Sequence, residues 1–516
     1  MTDFAGMLAE GYGFDDPAIV LGAAMEPGGA MHADPKVRIP LAMLNRHGLI
    51  AGATGTGKTR TLQLMAEQLS AAGVPVFVSD VKGDLSGLAM PGAPHPKIDE
   101  RARATGHPWT ASGFPVEFVS LSGKLGVQLR ATVSSFGPLL LTKVLDLNDT
   151  QSGVLSLVFK YCDDEGLPLV DFADLRTVLQ YLASDEGKPE LKEYGGMSRA
   201  TVGVLLRKML QLEEQGADRF FGEPEFDVHD LLHVADGKGV ITCLELADVQ
   251  DRPRLFSTFM MWLLAELYQN LPEAGDLPKP RLAFFFDEAH LLFDGASKAF
   301  REQIEQVVRL IRSKGVGVFF VTQTPKDVPN DVLGQLGNRV QHALRAHTPD
   351  DDKALRATAR TFPKTKFYDL EERLTSLGTG EALVTGLNPK GKPTPVVATH
   401  LIAPSARMSP LTPDELQADI RQSDLLPEYG TPRDRESAHE MLAARMAAAA
   451  APEGPAASGR PQAEPPSRRR GPSIGGAFAG ALGSTFARTV GREVVRGVFG
   501  MLGAKPPRRT SRTRLW

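Results

Sequence analysis

Cysteine is nearly absent. Cys162 and Cys243 are the only two in 516 residues, and neither stands near other ligand types at a metal-site spacing. This excludes a disulfide scaffold and predicts two buried thiols in a reducing compartment. Long apolar runs are missing too: no stretch of 18 apolar residues occurs, so no ordinary membrane-spanning helix is expected. Met1-Thr2-Asp3-Phe4 lacks the basic patch and apolar segment of a signal peptide, and the expectation is a cytoplasmic protein. A positive balance of charge is missing over most of the chain. The net charge is −4, yet residues 468–516 hold ten Arg and one Lys against the single acid Glu493, so residues 1–467 carry −14. An acidic body of this kind does not coat nucleic acid over its outer surface, and any DNA contact by it must be local, as in a channel. The 42% hydrophobic composition is that of a soluble globular protein, long enough for two or three domains or one large core with insertions.

Against these absences stands one complete motif. Gly52-Ala53-Thr54-Gly55-Thr56-Gly57-Lys58-Thr59 fits G-x-x-x-x-G-K-[ST] at every fixed position. The apolar run Gly48-Leu49-Ile50-Ala51 leads in. Arg60 to Ser70 follows, with Leu62, Met65, Ala66 and Leu69 at helical spacing, so the order is strand, loop, helix. The three glycines let the loop turn its amides inward, and the start of the helix adds its own free N–H groups. A polyphosphate meets that nest of donors, with Lys58 on the β and γ phosphates and the Thr59 hydroxyl on Mg²⁺. The nucleotide-binding set is Gly52 to Thr59, together with Arg60 at the next position.

Further apolar segments read as strands of the same sheet. Val74 to Ser79 is a buried-strand pattern ending in Asp80-Val81-Lys82-Gly83-Asp84, expected beside the nucleotide strand, where open α/β sheets bind ligands. Asp84 is read either as holding a metal-bound or attacking water or as a helix cap before Leu85. Val116 to Ser120 is another strand. From Ser134 to about Val234 the periods are helical, as in Val154, Leu155, Leu157 and Val158, and again in Leu205, Leu206, Met209 and Leu212, which predicts a helical insertion. Strand character returns at Gly239 to Leu244, before an apolar helix from Leu255 to Leu271.

Arg281 to Phe286 is a buried strand delivering Asp287-Glu288-Ala289-His290 at its C-terminal end, the Walker B arrangement. Asp287 is the candidate Mg²⁺ residue and Glu288 the candidate base that orients the attacking water. His290 reads as a packing or hydrogen-bonding residue. A helix from Ala299 to Lys314 carries Arg301, Arg309 and Arg312, and Gly315 to Val321 forms a strand ending in Thr322-Gln323-Thr324-Pro325. A side-chain amide there can touch the γ phosphate, which makes Gln323 the candidate sensor. Strands at Arg339 to Leu344, Ala382 to Thr385 and Val396 to Ala398 complete a large sheet, with no second phosphate loop near them. A DEAH-type helicase, suggested by Asp287 to His290, requires a second fused core and a later arginine motif, and the chain has neither.

These segments resemble the HerA-like ATPases of the HerA and FtsK superfamily, within it the bacterial branch described as a domain of unknown function related to the HerA C-terminal helicase domain. The resemblance is carried by Asn45 to Ile50, Gly52 to Thr59, Asp80 to Asp84, Phe286 to His290, Arg309 to Lys314 and Val321 to Pro329, and covers most of residues 38–402. It implies a homo-hexameric, Mg²⁺-dependent ATPase acting on double-stranded DNA as translocase or helicase, with ATP between subunits. It also implies a trans-acting arginine, carried over onto Arg312 first and Arg309 second.

The expected fold is α/β: a RecA-like P-loop NTPase core with a mainly parallel sheet over 48–133 and 236–404, divided by a helical insertion over 134–235. Short strands over 1–47 precede it. Helices over 405–445, a flexible Ala/Pro-rich linker over 446–473 and a basic amphipathic tail over 474–516 follow. In that tail Ile474, Phe478, Leu482, Phe486, Val490, Val494, Val498 and Leu502 recur every fourth residue, with Arg488, Arg492 and Arg496 in a parallel row. Helix pairing in a ring, docking on an anionic membrane surface and DNA contact are the functional readings of this pattern, beside a helix folded back on its own core, and the regular apolar face favours the first two over DNA. The alternative to a DNA motor is an ATP-dependent assembly or switch protein working at a membrane or on protein partners.

Overall fold

Twelve strands form one sheet around the phosphate loop. In chain order they are β1 (Ala18–Met25), β2 (Met31–Pro40), β3 (Gly48–Ala51), β4 (Val76–Asp80), β5 (Val116–Ser120), β6 (Val127–Gln128), β7 (Ile241–Glu245), β8 (Leu282–Phe286), β9 (Val316–Thr322), β10 (Asn338–Gln341), β11 (Glu381–Thr385) and β12 (Val397–Leu401). The computed structural model describes residues 3–294, 298–346 and 348–450, so most of the expected linker and all of the expected amphipathic tail lie outside the described residues.

Across the sheet the order is β2-β1-β12-β11-β10-β3-β9-β8-β4-β7-β5-β6. From β10 to β6 every neighbouring pair is parallel. The other edge, β11, β12, β1 and β2, is antiparallel. One expectation is corrected by this order. The strand ending in Asp80 is not beside the nucleotide strand, because β9 and β8 lie between β3 and β4. Residues 1–47 also contain more than strands: a helix over Phe4–Tyr12, capped by the Asp3 carboxylate on the Gly6 N–H, precedes the β1–β2 pair.

The strands read as nearly continuous apolar runs because both faces of the parallel half are covered. Phe284, Phe286, Val318 and Phe320 pack with the helices of residues 133–270 on one face. Ala283, Phe285, Phe319 and Val321 pack on the other, with Leu62, Met65 and Leu69 from the helix Lys58–Ala71. Aromatic pairs hold the central strands in register: Phe285 stacks on Phe319 at 4.8 Å and Phe286 on Phe320 at 5.4 Å.

Four long helices, Val133–Val144, Asp149–Glu165, Phe172–Ala183 and Arg199–Glu213, lie between β6 and β7. Their starts are written in the sequence. Asn148 and Gln151 form a reciprocal capping box, as do Asp171 and Asp174. The apolar helix Pro253–Asn270 packs beneath them, with Trp262 fully buried.

Candidate active site

The phosphate loop leaves β3 and is tied to both neighbouring strand ends. The Gly52 N–H donates to Thr322 O at 3.2 Å at the end of β9, and the Ala53 N–H to Ala343 O at 2.9 Å just beyond β10. At Gly57, φ is +116°, a left-handed conformation that carries the chain directly into the helix Lys58–Ala71. Gly52 is required for a second reason. A Cβ there would lie 2.5 Å from His342 Cβ, so only glycine lets the loop run this close to the next strand. Thr54 and Gly55 are exposed at the tip, whereas Thr56 is buried and its hydroxyl donates back to Ala53 O at 2.7 Å. Lys58 is buried, with Nζ donating to Gly52 O at 2.7 Å and Ala53 O at 3.2 Å. Burial lowers its pKa, and the Glu288 carboxylate opposes that shift. Thr59 follows on the first turn of the helix. Arg60 donates to Gln63 Oε1 at 2.8 Å and lies within electrostatic range of Asp84 and Asp80.

The ends of β8 and β4 place acids within electrostatic range of Lys58 and Arg60. Asp287 is buried, its Oδ2 has no hydrogen-bond partner among the described residues, and its pKa is pushed up to about 7 by burial and by Glu288, Asp80 and Asp84. A buried carboxylate oxygen without a donor, raised in pKa by other acids, is the environment a divalent cation relieves. Asp287 therefore fits a Mg²⁺ ion as a donor. Glu288, also buried, has φ of +47°, which is uncommon for a residue with a side chain. One of its carboxylate oxygens pairs with Lys82, and the other lies 3.3 Å from His290 Nδ1. Asp80 is buried and accepts the N–H groups of Lys82, Gly83 and Leu85, and burial nevertheless raises its pKa to about 6. The short helix Ser86–Ala89 that follows has no side-chain cap, so the capping alternative for Asp84 is not realised. Asp84 keeps a buried Oδ1 without a partner among the described residues, near Asp287.

Gln323 is exposed at the end of β9, between the phosphate-loop strand and the Walker B strand. The turn that presents it is braced by Asp327, which accepts the Thr322 hydroxyl at 2.7 Å and the Thr324 N–H at 3.1 Å. Arg309 and Arg312 are not brought to this site. Both are exposed before the start of β9, whereas the phosphate loop lies beyond the end of its parallel neighbour β3. A seven-residue strand, about 23 Å long, separates the two edges. Arg312 instead lies near Arg46 and Asp276, and burial and Arg46 lower its pKa.

Several residues at the site escape sequence reasoning. His342 is fully buried against the loop, with Nε2 2.8 Å from the Thr61 hydroxyl, and burial pushes its pKa down to about 4. Arg101 holds the segment over the loop by donating to Gly380 O and Leu401 O, and the Gly380 N–H in turn donates to Thr56 O at 3.0 Å. The one signal available for His342 was its position just past an apolar strand. Arg101, on an exposed-looking helix, had none.

Residues 28–508 match the helicase HerA-like C-terminal family. The DNA double-strand break repair helicase HerA of Sulfolobus acidocaldarius is 22% identical over 355 residues, 68% of this chain and 64% of that protein. The protein of the same description from Sulfurisphaera tokodaii is 23% identical over 371 residues, 69% of this chain and 65% of that one. The chain thus spans slightly less than two thirds of the length of these relatives. The plasmid coupling protein TrwB in complex with ADP and Mg²⁺ has a TM-score of 0.51 at 14% identity, covering 78% of this chain and 98% of that one. The bacterial conjugative coupling protein TrwBdeltaN70, in its unbound monoclinic form, has a TM-score of 0.50 at 14% identity, over 78% and 99%. The fold is the expected RecA-like P-loop core on a mainly parallel sheet. Since the matched span covers most of the sequence, the chain belongs to the helicase HerA-like C-terminal family.

Proposed function

We propose that this protein is a Mg²⁺-dependent ATPase that works as a homo-hexameric ring and couples hydrolysis to movement of double-stranded DNA. The carrying observation is the convergence, on neighbouring strand ends, of the complete phosphate loop, the Asp287–Glu288 pair and Gln323. Lys58 and the loop amides bind the phosphates, Glu288 orients the attacking water and accepts its proton, and Gln323 contacts the γ phosphate. Thr59 and Asp287 would hold Mg²⁺, which would supply neutralisation of phosphate charge.

Two observations support the ring. Arg312 and Arg309 are exposed at the sheet edge remote from their own phosphate loop, so only the loop of another copy is open to them. Arg46 beside Arg312 adds a second cation to that edge. DNA as the polymer is taken from the relatives, which are named as DNA double-strand break repair helicases. Such a substrate fits the acidic body only in a local channel. A cytoplasmic site of action is assigned on the two buried thiols. No helix among the described residues is long and apolar enough to cross a membrane. Membrane-surface contact through residues 474–516 rests on the sequence pattern of that segment alone.

The test is the ATPase rate of the purified protein with and without DNA of defined form. Linear double-stranded DNA is expected to raise kcat several-fold, with single strands less effective. An assembled ATPase that responds to no DNA would favour the switch-protein alternative.

A further inference from the structure

The Lys82–Glu288 contact is unused by the function so far assigned. Lys82 sits in the turn after β4, and its backbone is fixed there: the N–H groups of Lys82, Gly83 and Leu85 all donate to the Asp80 carboxylate. Its side chain is less enclosed. It is 48% exposed, and its ammonium pairs with a Glu288 carboxylate that is only 6% exposed. The second Glu288 oxygen faces His290 Nδ1 at 3.3 Å. One oxygen of the candidate base is therefore held by a cation, while the other has no hydrogen-bond partner among the described residues, and a carboxylate tied to an ammonium is not free to turn toward a water. The same ammonium lies within electrostatic range of Lys58, Asp287 and Asp84, which locates it over the phosphate side of the site. A long lysine stem on a fixed backbone can swing between neighbouring acceptors at little cost.

We propose that Lys82 discriminates nucleoside triphosphate from diphosphate by exchanging acceptors. It holds Glu288 when no γ phosphate is present, and it transfers to the γ-phosphate oxygens when ATP binds, which frees Glu288 for the attacking water. This rests on the reading of Glu288 as the base. With ADP the terminal phosphate that competes with Glu288 is missing, and the ammonium stays on Glu288. With ATP the terminal phosphate is the more highly charged partner, and the exchange adds a cation where negative charge must be neutralised. No bond is made or broken; one charge-assisted hydrogen bond replaces another.

The test measures equilibrium binding of ADP and of an ATP analogue with nitrogen bridging the β and γ phosphates, both with Mg²⁺, to the full chain. Lys82→Met is expected to cut the preference for the analogue over ADP roughly tenfold while ADP affinity stays within about twofold. Lys82→Arg should restore most of the preference. Glu288→Gln removes the competing charge and should raise the preference above that of the wild type, and the Lys82→Met/Glu288→Gln double variant should lose that rise. Equal weakening of both nucleotides in Lys82→Met, or an unchanged preference in Glu288→Gln, would overturn the proposal and leave Lys82 as a loop-shaping residue. These affinities do not depend on turnover. Wild-type hydrolysis by Glu288→Gln would instead remove the base assignment, so the two failures are distinguishable.

Discussion

At the scale of single residues the site separates two tasks by environment. Lys58 is buried under the loop and already donates to two of its carbonyls, so it is preorganised as a phosphate clamp. Glu288 stands on a left-handed backbone beside the buried Asp287 carboxylate, and in the proposed function it acts on water rather than on the nucleotide. The variants should therefore fail differently. Lys58→Ala is expected to lose nucleotide affinity by about 100-fold or more, or to bind without hydrolysing. Glu288→Gln should bind ATP within a few-fold of the wild type and lose about 10² to 10⁴ in kcat. Equilibrium binding set beside single-turnover hydrolysis checks both, and a normal rate in Glu288→Gln would disqualify the Walker B assignment.

Elements bring these residues together and also bury acids that do no chemistry. Glu266, on the helix Pro253–Asn270, has its pKa raised to about 7 by burial, with Glu225 and Asp227 adding to the shift, while Asn270 donates to its Oε2 at 2.8 Å. The folded state therefore binds a proton more tightly than the unfolded chain, whose ordinary value is 4.5. The stability this proton confers is complete below that value and is lost as pH rises through about 7. Glu266→Gln keeps the hydrogen-bonding shape without the charge. It should melt above the wild type at pH 8, with the gap closing near pH 5; an equal gap at both would show that Glu266 does not titrate in this window. Elements also determine what was legible. The helix starts at Asn148 and Asp171 and the strand β5 follow from local residue types, because capping and burial act over a few positions. The location of β4 did not, since the insertion of β9 and β8 between it and β3 depends on contacts far apart in sequence.

For the whole molecule, the proposed ring implies an ATPase completed by its neighbour. Arg312 and the phosphate loop occupy opposite edges of one parallel sheet, so a copy supplies its arginine to a different copy's nucleotide or to none. Arg312→Ala should bind ATP within a few-fold and lose about 10³-fold or more in rate, the range of a trans arginine. Mixing it with Glu288→Gln should restore activity, because some interfaces then join an intact Glu288 to an intact Arg312. Mixed rings that form, by native mass measurement, yet hydrolyse no faster than the two variants separately would remove the trans role.

The sequence alone determined the phosphate loop, the Asp287–Glu288 pair and the alternation of strand and helix. Each of these is specified by residues within a dozen positions of one another, through glycine geometry, apolar period and capping. Tertiary structure decided the rest. Lys82 meets Glu288 across 206 positions, and His342 meets Thr61 across 281. The edge on which Arg312 lies follows from the parallel register of β9 with β3. Contacts of that kind leave no periodic trace in a single chain, because which strands become neighbours is settled by burial of both sheet faces at once.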